Sequence, residues 1–251
     1  MEWEGPAILL ETSPYGEGDV LASVLTEQGL WRGLAKGGAS RRHASTWQRG
    51  NILSARWVAR TESQLGALSA ELVRPVAALA MHDAATLAVL SAACALAAGA
   101  LPEREEMPAS FAGLLRLFAG IDIPGFALAE LCRWEVVLLK ELGFGLNLSG
   151  GGGNDPLAYV SPRTGRAVTL SEAGEWVERL LPLPEFLITE AEPNPADCMA
   201  ALRLTGHFLA RDVFGARHRP LPMARQMLYD RVAALVDDSP AVAEQEDRDA
   251  G

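Results

Sequence analysis

The sequence predicts an α+β protein: an N-terminal five-stranded β-barrel followed by a larger α-helical domain with a small β-hairpin insertion. Three observations support this. Short apolar runs separated by turn residues fill positions 1–75, helical periodicity takes over at 76, and a second pair of strand-like runs sits at 157–170. Five short strands in so few residues need closure to hide their edges, which favours a barrel over an open sheet. The domains expected are therefore 1–75 for the barrel, 76–236 for the helical domain and 237–251 for an acidic tail without fixed structure.

The strands fall at 3–12, 19–26, 30–36, 51–60 and 66–73. In the fourth, Leu53, Ala55, Trp57 and Ala59 share one face while Ser54, Arg56 and Arg60 share the other, the period of two of a half-buried strand. Between the third and fourth lies GGASRRHASTWQRG, 37–50, whose Gly, Ser and Arg content predicts an exposed, mobile loop. Pro75 suits the first position of a helix that runs through Leu79, Thr86, Leu87, Leu90 and Cys94. Its eighteen uncharged residues, 84–101, are mostly alanine and lack flanking Lys or Arg, so a buried core helix is expected and not a membrane span. Amphipathic helices follow at 107–120 and 127–142, the latter ended by Gly143. Residues 150–153 are a glycine linker with no Lys-Ser/Thr after it, so no phosphate loop is expected. The hairpin turns at Pro162-Arg163-Thr164-Gly165, and further helices start at Ser171 and span 197–215 and 222–236.

Charge is distributed unevenly. The 251 residues carry 22 Lys plus Arg against 32 Asp plus Glu, a formal charge of -10. Yet the stretch 28–61 holds Arg32, Lys36, Arg41, Arg42, Arg49, Arg56 and Arg60 without an acid. A local field of that sign attracts polyanions. Trp31 and Trp47 lie within it as candidates for base stacking, against the competing use of tryptophan in a small core. A second cluster, Arg217, His218 and Arg219, either complements the end of a helix or binds an acidic partner peptide.

Catalysis finds no support. His43, His82, His207 and His218 make no metal or catalytic spacing, and HExxH, GxSxG and CxxC are missing, so neither an enzyme nor a cofactor is expected. Three widely spaced cysteines, Cys94, Cys132 and Cys198, in apolar contexts predict buried free thiols in a reducing setting. The opening MEWEGPAILLE places acids where a secretory leader has positive charge, so a cytoplasmic protein is expected.

The order and spacing of MEWEGPAILLET, SPYGEGDVLASVLTEQG, LAKGGASRRH, RWEVVLLKELGFGLNL and LAYVSPRTGRAV resemble the bacterial recombination-mediator RecO family along almost the whole chain. The resemblance implies that the barrel is an OB-fold. It also implies a non-enzymatic DNA repair and recombination protein that binds single- and double-stranded DNA and anneals complementary strands. With RecR, such a protein helps load RecA onto DNA covered by SSB, whose acidic tail is a further partner. Lys36, Arg41 and Arg42 match the family's basic loop, while Arg32, Trp47, Arg49, Arg56 and Arg60 join the expected DNA site on the charge and stacking argument. One departure stands out: many members have a four-cysteine zinc site after the helix that here ends at Gly143, but no cysteine lies between Cys132 and Cys198. The hairpin is thus expected to hold without metal. The rival to a DNA mediator is an interaction scaffold whose basic barrel binds an acidic protein.

Overall fold

The computed structural model describes residues 1–61, 64–150 and 155–237. The predicted acidic tail beyond 237 and most of the glycine linker lie outside these. Five strands, β1 (Glu2–Tyr15), β2 (Asp19–Thr26), β3 (Gly29–Ala35), β4 (Ile52–Val58) and β5 (Gly66–Arg74), close in the order β1-β2-β3-β5-β4. Neighbours are antiparallel except β3 and β5, which meet in parallel over Gly33↔Gly66 and Leu34↔Ala67.

Tryptophan fills the barrel and glycine makes the room. Trp3, Trp31 and Trp57 form an interior ladder with ring centroids 5.9 and 4.8 Å apart. The Trp57 indole N–H donates to the Arg32 carbonyl at 2.8 Å. A Cβ on Gly66 would lie 2.1 Å from that indole, so only glycine lets β5 pass there. Trp31, a stacking candidate in the sequence, is thereby a core residue.

Strand β1 faces two cores. By the alternation of a strand, Leu9 packs inside the barrel while Ile8 and Leu10 pack outside, and a bulge shifts the register from Leu9↔Val24 to Glu11↔Ser23. Ile8, Leu10, Leu25, Leu30 and Ile52 form a buried outer patch that joins the helical core. Barrel and helices are thus fused by apolar contact.

The helical layer comprises α1 (Val76–Ala80), α2 (Ala84–Ala100), α3 (Pro108–Ala119), α4 (Phe126–Leu139), α5 (Leu170–Ala173), α6 (Pro195–Phe208) and α7 (Met223–Asp237). The alanine-rich segment becomes α2, with Val89, Leu90, Cys94 and Leu96 buried. No helix among the described residues is long and apolar enough to cross a membrane. The single helix expected from Pro75 is two: the chain breaks after Ala80, and the Asp83 carboxylate restarts it by accepting the Thr86 amide at 2.7 Å. The helix expected over 197–215 becomes α6 followed by a π-helical turn, Leu209–Phe214. Gly143 has φ 88°, as a helix terminator requires, inside the π-helical turn that extends α4. The hairpin strands β6 (Leu157–Val160) and β7 (Ala167–Thr169) gain a third, β8 (Leu181–Pro182), in the order β7-β6-β8.

A buried ion pair ties α4, α6 and α7 together. Arg225 and Glu135, 1% and 0% exposed, bond through two guanidinium nitrogens, and Arg225 also donates to the Leu202 carbonyl at 2.8 Å. The Thr205 hydroxyl donates to the same carboxylate. Burial disfavours the Arg225 charge, but Glu135 more than offsets this and the guanidinium pKa rises. Removing one partner leaves the other charge buried and unpaired. Arg225→Ala is therefore expected to lower the unfolding free energy by about 3–5 kcal/mol, measured by urea denaturation. An unchanged midpoint would show that the pair does not hold these helices.

Candidate nucleic-acid interface

The basic loop 36–50 is a chain of hydrogen-bonded turns, more ordered than its composition predicts. It starts where the Gly37 amide donates to the Asp19 carboxylate at 2.8 Å, with φ 65° at Gly37. The Ala39 amide donates to the Gly18 carbonyl at 3.1 Å. Next, the Trp47 amide donates to the His43 carbonyl at 3.3 Å. Gly38 allows the return: a Cβ there would meet the Trp47 indole nitrogen at 3.2 Å.

Asn51 closes the loop. Fully buried, its side-chain amide donates to the carbonyls of Ser45 at 2.8 Å and Thr46 at 3.2 Å. Its side-chain oxygen accepts the Ala77 amide at 3.1 Å, in the first turn of α1. Pro75 makes no side-chain cap at that helix end, so Asn51 caps it from a distant part of the chain. Its backbone amide and carbonyl pair with Gln48 and Leu9. One side chain thus sets loop, barrel and first helix against one another.

The predicted DNA residues do not form a single groove. Lys36, Trp47 and Arg56 line a cleft of about 420 Å³ with His43, over Leu34 and the β5 residues 67–70. Trp47 is half-buried there, packed against the barrel core with part of its ring in the cleft. Arg32 and Arg49 line another cleft at the seam between barrel and helices, and Arg219 joins them. The two clefts share no lining residue. Arg41 and Arg42 project from the exposed part of the loop, and Arg60 is exposed past the end of β4.

Not all of these charges are equally available. Arg56 bonds the Glu2 carboxylate at 2.7 and 2.9 Å, with Glu4 at 4.0 Å. The hydrogen bond to Glu2 is the main reason that the Arg56 pKa is raised. Arg32 pairs with Glu103 at 3.1 Å. Both pairs are about half exposed, so each contributes little stability and exchanges readily for another anion. Lys36, Arg41, Arg42, Arg49 and Arg60 make no ion pair among the described residues. Burial pushes the Cys94 thiol up to about 12, opposed by the positive charge of Arg49, which borders the same cleft.

The second basic cluster splits as well. Arg217 donates to the Gly99 carbonyl at 3.2 Å, and His218 takes a left-handed turn at φ 52°, so that Arg219 enters the seam. No group of three or more His, Cys, Asp or Glu side chains among the described residues is placed to hold a metal, and the donors do not fit zinc.

Comparison with known proteins agrees with this architecture. Family models described as Recombination protein O N terminal and Recombination protein O C terminal match residues 1–76 and 81–221. The chain belongs to the RecO family. It is 58% identical over 240 residues to the DNA repair protein RecO of Acidiphilium cryptum, covering 92% of this chain and 96% of that one. Against the DNA repair protein RecO of Granulibacter bethesdensis it is 53% identical over 244 residues, covering 94% and 98%. The RecO family places the chain in DNA repair and recombination, with the barrel as its OB-fold.

Sequence reasoning missed three features of the site. The carboxylates of Glu2 and Glu103 pair with Arg56 and Arg32 from distant positions, which composition does not show. The Arg104 guanidinium lies 5.3 and 5.5 Å from the ring centroids of Trp31 and Trp57, a cation–π contact with the barrel tryptophans. Asn51 reads as an ordinary strand-start residue, and only its place after a glycine hinted at a turn. Asn51→Ala would strand the Ala77 amide and two loop carbonyls. It is expected to cost about 1–3 kcal/mol in urea unfolding and to speed amide exchange in the loop. Unchanged exchange across 45–50 would contradict the role given to Asn51.

Proposed function

We propose that this RecO-family chain is a cytoplasmic, non-catalytic mediator that binds DNA through the Lys36–Trp47 cleft and the adjoining loop. On this reading it anneals complementary strands and, with RecR, helps load RecA onto DNA covered by SSB, whose acidic tail is a partner of the helical layer. The observation that carries the proposal is the loop itself. In a chain of formal charge -10, it presents Lys36, Arg41 and Arg42 outside any ion pair among the described residues, beside a partly exposed indole. Phosphate binding at these side chains releases counterions, and the Trp47 face stacks a base without reading its edges. Sequence preference is accordingly weak. Annealing follows because neutralised backbones repel each other less.

Arg56 takes part only after leaving Glu2, so its contribution is smaller than its position suggests. That observation keeps the scaffold reading in view, since a barrel with paired arginines also suits an acidic protein partner. A salt series separates the two. Fluorescence anisotropy with a labelled single-stranded oligonucleotide is expected to show binding that falls linearly on a log–log salt plot. Arg41→Ala/Arg42→Ala is expected to lower the slope by roughly 1.4, from about 0.7 per lost phosphate contact. No binding by the unaltered protein at low salt, or an unchanged slope in the variant, would favour the scaffold.

A further inference from the structure

The seam cleft joins three arginines that the sequence keeps far apart. Arg32 comes from the outer face of β3, Arg49 from the end of the basic loop, and Arg219 from the segment between α6 and α7. Part of the wall is Ala95, Ala98 and Gly99 of α2, small residues that leave room for a backbone to approach. Two carboxylates oppose them: Glu11, which accepts the Ser23 hydroxyl at 3.2 Å, and Glu103, 3.1 Å from Arg32. Arg49 and Arg219 make no ion pair among the described residues, so the cleft keeps a positive excess.

The loop joins this cleft to the first. Trp47 lines one and Arg49, two positions later, lines the other. Trp47 and Arg49 are two positions apart, so the two clefts flank one short stretch of the loop. We propose that the seam cleft of Arg32, Arg49 and Arg219 binds the phosphate backbone of a second nucleic-acid strand, beside the strand in the Lys36–Trp47 cleft. The inference rests on the DNA-binding reading above and deepens it. Annealing needs two strands near each other on one surface, and two basic clefts joined by one loop supply that. Guanidinium groups bind phosphate oxygens without selecting sequence, so the second strand is recognised by its backbone alone.

The experiment uses the full chain and two non-complementary oligonucleotides carrying a donor and an acceptor dye, with annealing of a complementary pair followed in parallel. The unaltered protein is expected to give energy transfer between the non-complementary strands at one strand pair per protein. Arg219→Ala, which leaves the basic loop untouched, is expected to keep first-strand affinity within about twofold, to lose most of the transfer and to slow annealing by about tenfold, the weight of one lost charge-assisted phosphate contact. Arg219→Lys restores a point charge there and is expected to recover most of the transfer, which separates charge loss from misfolding. Unchanged transfer and annealing in the alanine variant would overturn the proposal. So would an equal loss of first-strand affinity, which would mean one continuous site. Displacement by an acidic peptide with no second-strand transfer in the unaltered protein would give the cleft to a protein partner instead. If the unaltered protein binds no single strand at all, the DNA-binding reading itself fails, an outcome distinct from these.

Discussion

The placement of the basic loop depends on a single buried amide. Asn51 has its amide, carbonyl and side chain all engaged, and its partners come from the loop, β1 and the first turn of α1. Buried polar groups of this kind stabilise mainly through the cost of leaving any of them unmet. The loop therefore cannot shift as a unit without uncapping a helix. Pro75 carries no capping side chain, which makes that helix end dependent on a distant residue.

That constraint gives the charge pattern its shape. A loop of Gly, Ser and Arg left to itself would spread its positive charge over many conformations. Fixed at 45–46 by Asn51 and at Gly37 by Asp19, it directs Trp47 and Arg49 to separate clefts and leaves Arg41 and Arg42 outside. Carboxylates from β1 and from the α2–α3 connection meanwhile hold Arg56 and Arg32. The strand-borne arginines are thus damped while the loop-borne ones are not. The apolar outer patch of the barrel, including Ile8, Leu25 and Ile52, fixes this assembly to the helices, whose buried Arg225–Glu135 pair sets their own arrangement.

Local signals made the barrel readable. Alternation around Ala55 and Trp57 and the Gly, Ser and Arg content of 37–50 specify strand and loop from near neighbours, and all five strands lie within a few residues of their predicted places. The helix over 76–100 was misread as continuous because its alanines hide the break, although Asp83 followed by Thr86 is a capping signal in plain sight. The division of the basic residues between two clefts was not readable. It depends on which carboxylates β1 brings to Arg56, Glu4 directly opposite and Glu2 diagonally, and on Arg219 arriving from a distant part of the chain, information that exists only once the chain is folded. The same holds for Glu135 and Arg225, 90 positions apart, each of which looks like an ordinary surface charge in its own helix.

The most direct test of the central claim is amide hydrogen–deuterium exchange read by mass spectrometry, with and without a single-stranded oligonucleotide at low salt. Exchange is expected to slow across 36–50 and in the first turn of α1, coupled through Asn51, with no change in β6 and β7. Protection confined to the helical layer, with 36–50 exchanging as in the free protein, would contradict it.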